Sequence, residues 1–188
     1  QDLIRPLTYA GNVGDCLVMT SSGAGNTLLL DVRNSRFENC VNNGVTISSN
    51  AQMGTGSVER IHFNIENTRI SANRFFNLKL VNLAPVKELT GRVQNSDLSH
   101  GHGVNLGLVR LGATPARAVL DFGGGELGSQ GNNCFHGGAT RDLEIDGFDV
   151  SLKHNWWGQA SAPYWWRTWI VHGSAAFTPV AITAPLHC

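Results

Sequence analysis

Three acidic side chains, Asp97, Glu126 and Asp149, each stand two places after an Asn or Gly that recurs at intervals along the chain. If those intervals are turns of one repeat, the three carboxylates form a single outward column. Like charges one strand apart, about 4.8 Å, raise a carboxylate pKa or require a cation between them. His100 and His102 follow Asp97, and His154 follows Asp149; column counting puts His102 and His154 in the same phase. A carboxylate-and-histidine patch of this kind suits acid–base hydrolysis of a polysaccharide or the binding of a metal. The preferred alternative is a solvated ladder, in which Arg69 pairs with Asp97 and His or Lys153 neutralises the rest. The candidate catalytic set is therefore Asp97, Glu126, Asp149, His100, His102 and His154.

Other motifs carry less chemistry. The run SHGHG (99–103) would put both imidazoles on one face of a strand, as zinc sites do, yet two histidines do not close a site. The run GGGELG (123–128) has the spacing of a dinucleotide fingerprint, which has meaning only between a strand and a helix. Here it runs into SQGNNC, which is turn chemistry, so no cofactor is expected. The four cysteines, Cys16, Cys40, Cys134 and Cys188, show no Cys-x-x-Cys spacing, and no metal site is assigned. Their even number permits two disulfides, Cys16 with Cys40 and Cys134 with Cys188, against the alternative of four buried thiols.

The elements that would position these residues are short strands. The 188 residues suffice for one domain with a sizeable core. Twenty-two glycines, together with many Asn, Ser and Thr, point to strands and turns, and no long helical period is present. Fourteen basic and fourteen acidic side chains cancel, so the surplus that a nucleic-acid binder needs is missing. No apolar run approaches the ~20 residues of a membrane span.

Four segments share a polar–apolar–polar–Asn/Gly pattern, beginning at Asp31, Asn64, Arg92 and Asp121, and a fifth begins at Glu144. Their apolar anchors, Val32, Ile65, Val93, Phe122 and Ile145, recur at unequal spacing, as in a solenoid with loops of different length. A second inward column is Phe37, Ile70, Leu98, Leu127 and Val150. Between the two, Asn34, Asn67, Asn95, Gly124 and Gly147 can take the left-handed conformation of a tight bend. Ser35, Thr68, Ser96 and Gly125 follow as a small inward stack. A third strand recurs as GVTIS (44–48), NLKLV (77–81), NLGLV (105–109) and, less regularly, CFHGG (134–138), and its outward positions read Thr46, Lys79, Gly107 and His136, with no carboxylate. The fold class expected is all-β: a right-handed, single-stranded parallel β-helix of about five to six rungs over residues 1–163. Residues 164–188 form a C-terminal aromatic cap.

The Asn-bend repeats and the run HNWWGQASAP resemble bacterial right-handed parallel β-helix repeat proteins of pectate-lyase-like architecture, over residues 15 to 163. In that family an Asn-Trp-Trp-Gly run followed by Pro closes the last rung, which maps to Asn155, Trp156, Trp157, Gly158 and Pro163. The resemblance implies that Trp156 and Trp157 cover the open core. It also implies, for an enzyme, an acid-lined sugar cleft on the third-strand face, supplemented by the loops 49–57, 82–90 and 109–118. The third-strand face, with no carboxylate among Thr46, Lys79, Gly107 and His136, departs from that enzyme. The expected function is a secreted or cell-surface module, not a catalyst, that offers Tyr164, Trp165, Trp166 and Trp169, with Lys79 and His136, to a polysaccharide or protein surface. The alternative is a polysaccharide hydrolase or lyase using the carboxylate column. Residues 1–14 hold few apolar positions to cover a core, so a homodimer or a flanking solenoid domain is expected at that end.

Overall fold

The computed structural model describes residues 2–4, 8–11, 13–50 and 57–188. In chain order the strands begin with β1 (Asp2–Ile4), β2 (Thr8–Ala10), β3 (Leu17–Ser22), β4 (Thr27–Arg33), β5 (Arg36–Glu38) and β6 (Val45–Asn50). They continue with β7 (Val58–Glu66), β8 (Arg69–Ser71), β9 (Phe76–Asn82), β10 (Val86–Gln94), β11 (Val104–Arg110) and β12 (Arg117–Asp121). The last are β13 (Arg141–Asp146), β14 (Asp149–Ser151), β15 (Thr168–Val171) and β16 (Ser174–Ala176), with a 3-10 turn at Trp165–Arg167.

These strands form three sheets, and every strand pairing is parallel. A seven-stranded sheet runs β1-β4-β7-β10-β12-β14-β16, a six-stranded sheet runs β15-β13-β11-β9-β6-β3, and a three-stranded sheet runs β2-β5-β8. The all-β expectation holds. Isolated bridges prolong the short sheet along Arg69, Asp97, Cys134 and Trp156.

Apolar residues stack in register behind each sheet. On the seven-stranded sheet Leu30, Phe63, Gly91, Leu120 and Val150 are successive partners. Gly91 has no choice of side chain, because a Cβ there would run into the Phe63 ring. On the six-stranded sheet Val45, Leu78, Leu106 and Leu143 align, beside Ile47, Leu80, Leu108, Ile145 and Ile170. All of these up to Ile145 are buried, which is the burial that holds the sheets together.

The bend after the seven-stranded sheet is where the asparagines sit. Asn34, Asn67 and Asn95 have φ of 51°, 49° and 51°. The Asn34 and Asn67 amides donate to the carbonyls of Glu66 and Gln94, one pass along, so the three are stacked as expected. Asn67 also donates through its side chain to Asn34, and Asn132 to Asn95.

The later members of the repeat are corrected. The fourth and fifth bend residues are Asn132 (φ 62°) and His154 (φ 58°), not Gly124 and Gly147. The Asn95 amide bonds the Gly131 carbonyl, and the Asn132 amide bonds that of His154. The segment from Glu144 belongs to the six-stranded sheet, where Ile145 pairs with Leu108 and not with the Phe122 column. Its Asp149–Ser151 then returns to the seven-stranded sheet beside β12. The second inward column is accordingly Phe37, Ile70, Leu98, Phe135 and Trp157, all buried. Leu127 lies half-exposed in a loop, and Val150 belongs to the preceding sheet. A hydrophobic alternation alone cannot tell these phases apart, since strands of all three sheets share its period.

Behind the bend a polar ladder is fully buried. The amides of Ser35, Thr68, Ser96 and Asn133 donate in turn to the side-chain oxygens of Thr68, Ser96, Asn133 and Asn155, at 3.4, 3.2, 3.0 and 2.9 Å. Asn133 and Asn155, not Gly125, therefore continue the small-residue stack. Their longer side chains also reach the Phe122 carbonyl, each at 2.9 Å.

Both expected disulfides are present, Cys16–Cys40 and Cys134–Cys188. The second ties the C-terminal tail to the stack. Trp157 caps the core between Phe135 and Phe177, with centroids at 5.2 and 5.4 Å. Trp156 does not share that role. It faces the other way and is half-buried, because neighbours on extended chain point to opposite sides.

Candidate ligand-binding surface

A second buried polar ladder leads to the aromatic end. Asn77, Asn105 and Asp142 are each the second residue of a strand of the six-stranded sheet, and lie in one column. The Asn77 amide donates to Asn105 (3.1 Å), and that of Asn105 to Asp142 (2.9 Å). The buried Asp142 also receives the Gly138 amide (3.1 Å) and a two-pronged contact from Arg167, at 2.9 and 2.7 Å. A fork-to-fork pair of this kind fixes geometry as well as charge. The hydrogen bond to Asp142 raises the Arg167 pKa above its ordinary value.

Arg167 closes the 3-10 turn, so this pair anchors the segment that carries the rings. Tyr164, Trp165, Trp166 and Trp169 are 52, 79, 53 and 36% exposed. Tyr164 and Trp166 stack face to face at 4.3 Å and 7°, while Trp165 stands across Trp166 at 5.7 Å and 88°. Tyr164 thus spends one face on its neighbour, and Trp165 keeps most of its surface in solvent. Beside them lies a hollow of about 440 Å³ lined by His136, Asp142, Gln159, Tyr164, Trp166 and Arg167 among others.

Of the expected binding residues, His136 joins this hollow. Its ring packs edge-on to His100 at 4.7 Å. Burial, then the charge of His100, pull the His136 pKa below its ordinary value, against the opposing pull of Asp97 and Asp142. Lys79 lies elsewhere, over the Phe76 ring at 4.8 Å. The outward column of the six-stranded sheet is Thr46, Lys79, Gly107, Glu144 and Trp169. The expected His136 is replaced there by Glu144, so this face does carry a carboxylate. Arg141 lies 3.9 Å from Glu144 and 5.9 Å from the Trp169 ring centre.

The carboxylate column does not form. Asp97, 2% exposed, has Arg69 and Cys134 as its register neighbours. It is held by Ser99 and by Arg69 at 3.3 Å, which realises the charge pairing expected of Asp97. Glu126 is in the loop after β12, and Asp149 begins β14; both are exposed and share a shallow depression with Lys153. Asp97 is not among that depression's residues. His100 sits on a left-handed bend (φ 56°) before β11, so the His-x-His pair is not on a strand. His102 bonds the Asn73 carbonyl through its amide, whereas His154 occupies the bend column; the two differ in phase. Among the described residues, Cys134, His187 and Cys188 have metal-ligand proximity, and both sulfurs are committed to the disulfide.

Of the loops expected to extend a cleft, residues 51–56 of 49–57 lie outside the described residues. Segment 82–90 is mostly strand, at the end of β9 and within β10, whereas 111–116 is, as expected, a connection between β11 and β12. Sequence reasoning missed Asp142 and Arg167. A signal existed: Asn77-Leu, Asn105-Leu and Asp142-Leu take the second and third positions of three strands in the same way. No protein-family model, no curated protein and no solved structure matches the chain.

Proposed function

We propose that this chain is a secreted or cell-surface parallel β-helix module that binds a polysaccharide through its aromatic C-terminal end. The handedness follows from the strong preference of parallel crossovers for right-handed connections. The cyclic visits to three parallel sheets support the single-stranded helix, and two disulfides suit an oxidising compartment. No helix is long and apolar enough to cross a membrane among the described residues.

The observation that carries the binding reading is the cluster of Tyr164, Trp165, Trp166 and Trp169, exposed together on a segment anchored by Arg167. Exposed indoles present apolar faces to the C–H faces of sugars, and an anchored turn loses little entropy on binding. Catalysis by the proposed carboxylates lacks a common cleft, since Asp97 is buried away from Glu126 and Asp149. Protein surfaces are the alternative ligand for the same rings. At the opposite end, β3 is an edge strand carrying the exposed Val18, which supports pairing with a second copy or a flanking domain.

The test is co-sedimentation with insoluble polysaccharides, followed by a search for released oligosaccharides. Trp165→Ala and Trp166→Ala are each expected to weaken retention about tenfold. Product release abolished by Asp97→Ala in a folded protein would overturn the reading.

A further inference from the structure

The fourth bend is delayed. On earlier passes the left-handed asparagine follows almost directly after Val32, Ile65 or Val93. After Phe122 the chain makes a loop, 123–131, before Asn132 takes that place. The loop is built with care. Asp121, fully buried, accepts the amides of Gly123, Gly125 and Ser129 at 3.0, 2.9 and 3.0 Å. Ser129 donates its hydroxyl to the Val93 carbonyl at 2.7 Å. The Gly-rich run with the spacing of a dinucleotide fingerprint is thus a folded insertion fixed by one carboxylate.

Leu127 from this loop meets the outer face of the seven-stranded sheet. With Leu29, Asp31, His62, Asn64 and Arg92 it lines a concavity of about 310 Å³. Insertions in stacked repeats commonly raise binding walls on one face. We propose that this concavity is a second binding site, for one neutral, hydroxyl-rich ring of monosaccharide size.

The chemistry favours that ligand. The volume falls at the lower end for small-molecule sites. Leu29 and Leu127 supply apolar walls for the C–H face of a ring. The polar groups are ordered before any ligand arrives: Asn64 donates to Asp31 at 2.8 Å, and Arg92 donates to Asn64 at 2.9 Å. His62 shares Nδ1 with the Thr90 hydroxyl at 2.7 Å, which leaves Nε2 for a ligand. Asp31 and Glu66 balance Arg33 and Arg92, so the site offers acceptors and donors without a net charge to select an ion. This site shares no residue with the aromatic end and stands on a different sheet.

The test is a ¹H–¹⁵N titration of the full chain with the methyl glycosides of glucose, galactose and mannose. Glucuronate and glucosamine serve as charged comparators. At least one neutral glycoside is expected to give saturable shifts in β4, β7, β10 and the 123–129 loop. Leu127→Ser and Arg92→Ala should each weaken it by about tenfold, while Trp165→Ala leaves it unchanged. Leu127 is half-exposed in a loop, so its variant decides the matter even if Arg92→Ala perturbs folding. Absence of saturation with every neutral glycoside overturns the proposal. So do tighter binding of either charged sugar and shifts indifferent to Leu127→Ser. Failure of Trp165→Ala to affect polysaccharide retention concerns the aromatic end alone.

Discussion

At the scale of single residues, the buried polar side chains act as spacers whose lone pairs are already assigned. Asn133 receives the Ser96 amide and donates to the Val93 and Phe122 carbonyls. Asn133→Ala removes a bonding partner from three backbone groups and should cost about 2–3 kcal/mol in urea unfolding. Arg167→Met leaves the Asp142 carboxylate without its cation. The side chain is partly exposed, so the expected loss is about 2 kcal/mol, less than for a fully buried pair. That variant should also weaken polysaccharide retention by freeing the aromatic turn. His136 gives the acid response its sign. Burial and His100 hold its folded pKa below the ordinary 6.5, while the unfolded ring keeps that value. As pH falls from about 6.5 towards the folded pKa, the unfolded chain binds more protons and stability is lost; above 6.5 the contribution is fully present. Melting temperatures from about pH 7.5 down to 5 should therefore fall, and His136→Gln should flatten that decline. Asp31 acts lower down. Burial raises its pKa, but the bonds from Arg33 and Asn64 and the charges of Arg33 and Arg92 prevail and hold it below 3.8. Its small, screened contribution is present above that value and disappears as acid protonates the folded carboxylate.

At the scale of elements, each strand is fixed by what lies directly above and below it. Gly91 is the clearest case, since the Phe63 ring occupies the space in front of it. Gly91→Val adds methyl groups to a full site and should cost about 1–3 kcal/mol, measured by thermal or urea unfolding. The tail is tied by Cys134–Cys188 across a separation of 54 residues. Replacing both cysteines by serine should cost about 2–4 kcal/mol and make 177–188 more sensitive to protease. The strand content and the asparagine bends at 34, 67 and 95 were readable because Asn falls in one phase of three consecutive units. The last two units were misphased. The insertion at 123–131 carries left-handed glycines of its own, at Gly124, Gly128 and Gly131. A glycine in a left-handed turn looks the same in sequence wherever the turn lies. Register decided which turn belonged to the stack.

At the scale of the whole molecule, contacts join each pass mainly to its neighbours, so stability should decline from the middle outward. Amides in β7, β9, β10 and β11 are expected to exchange more slowly with deuterium than those in β15 and β16, and equal protection throughout would contradict this. The aromatic end and the Leu127 concavity stand on different faces, which gives the binding experiments two separable readouts. Alternating hydrophobicity and the recurrent asparagines determined by themselves that this is an all-β chain of short strands, and the even set of cysteines permitted two disulfides. Those signals act within a strand, at a bend or by simple number. Only the tertiary structure decided that Asp97 stands apart from Glu126 and Asp149, that Asp142 meets Arg167, and that Leu127 overhangs β4 and β7. Each of those juxtapositions depends on which residue stacks on which across a parallel ladder, and one inserted loop shifts that alignment without changing the local pattern.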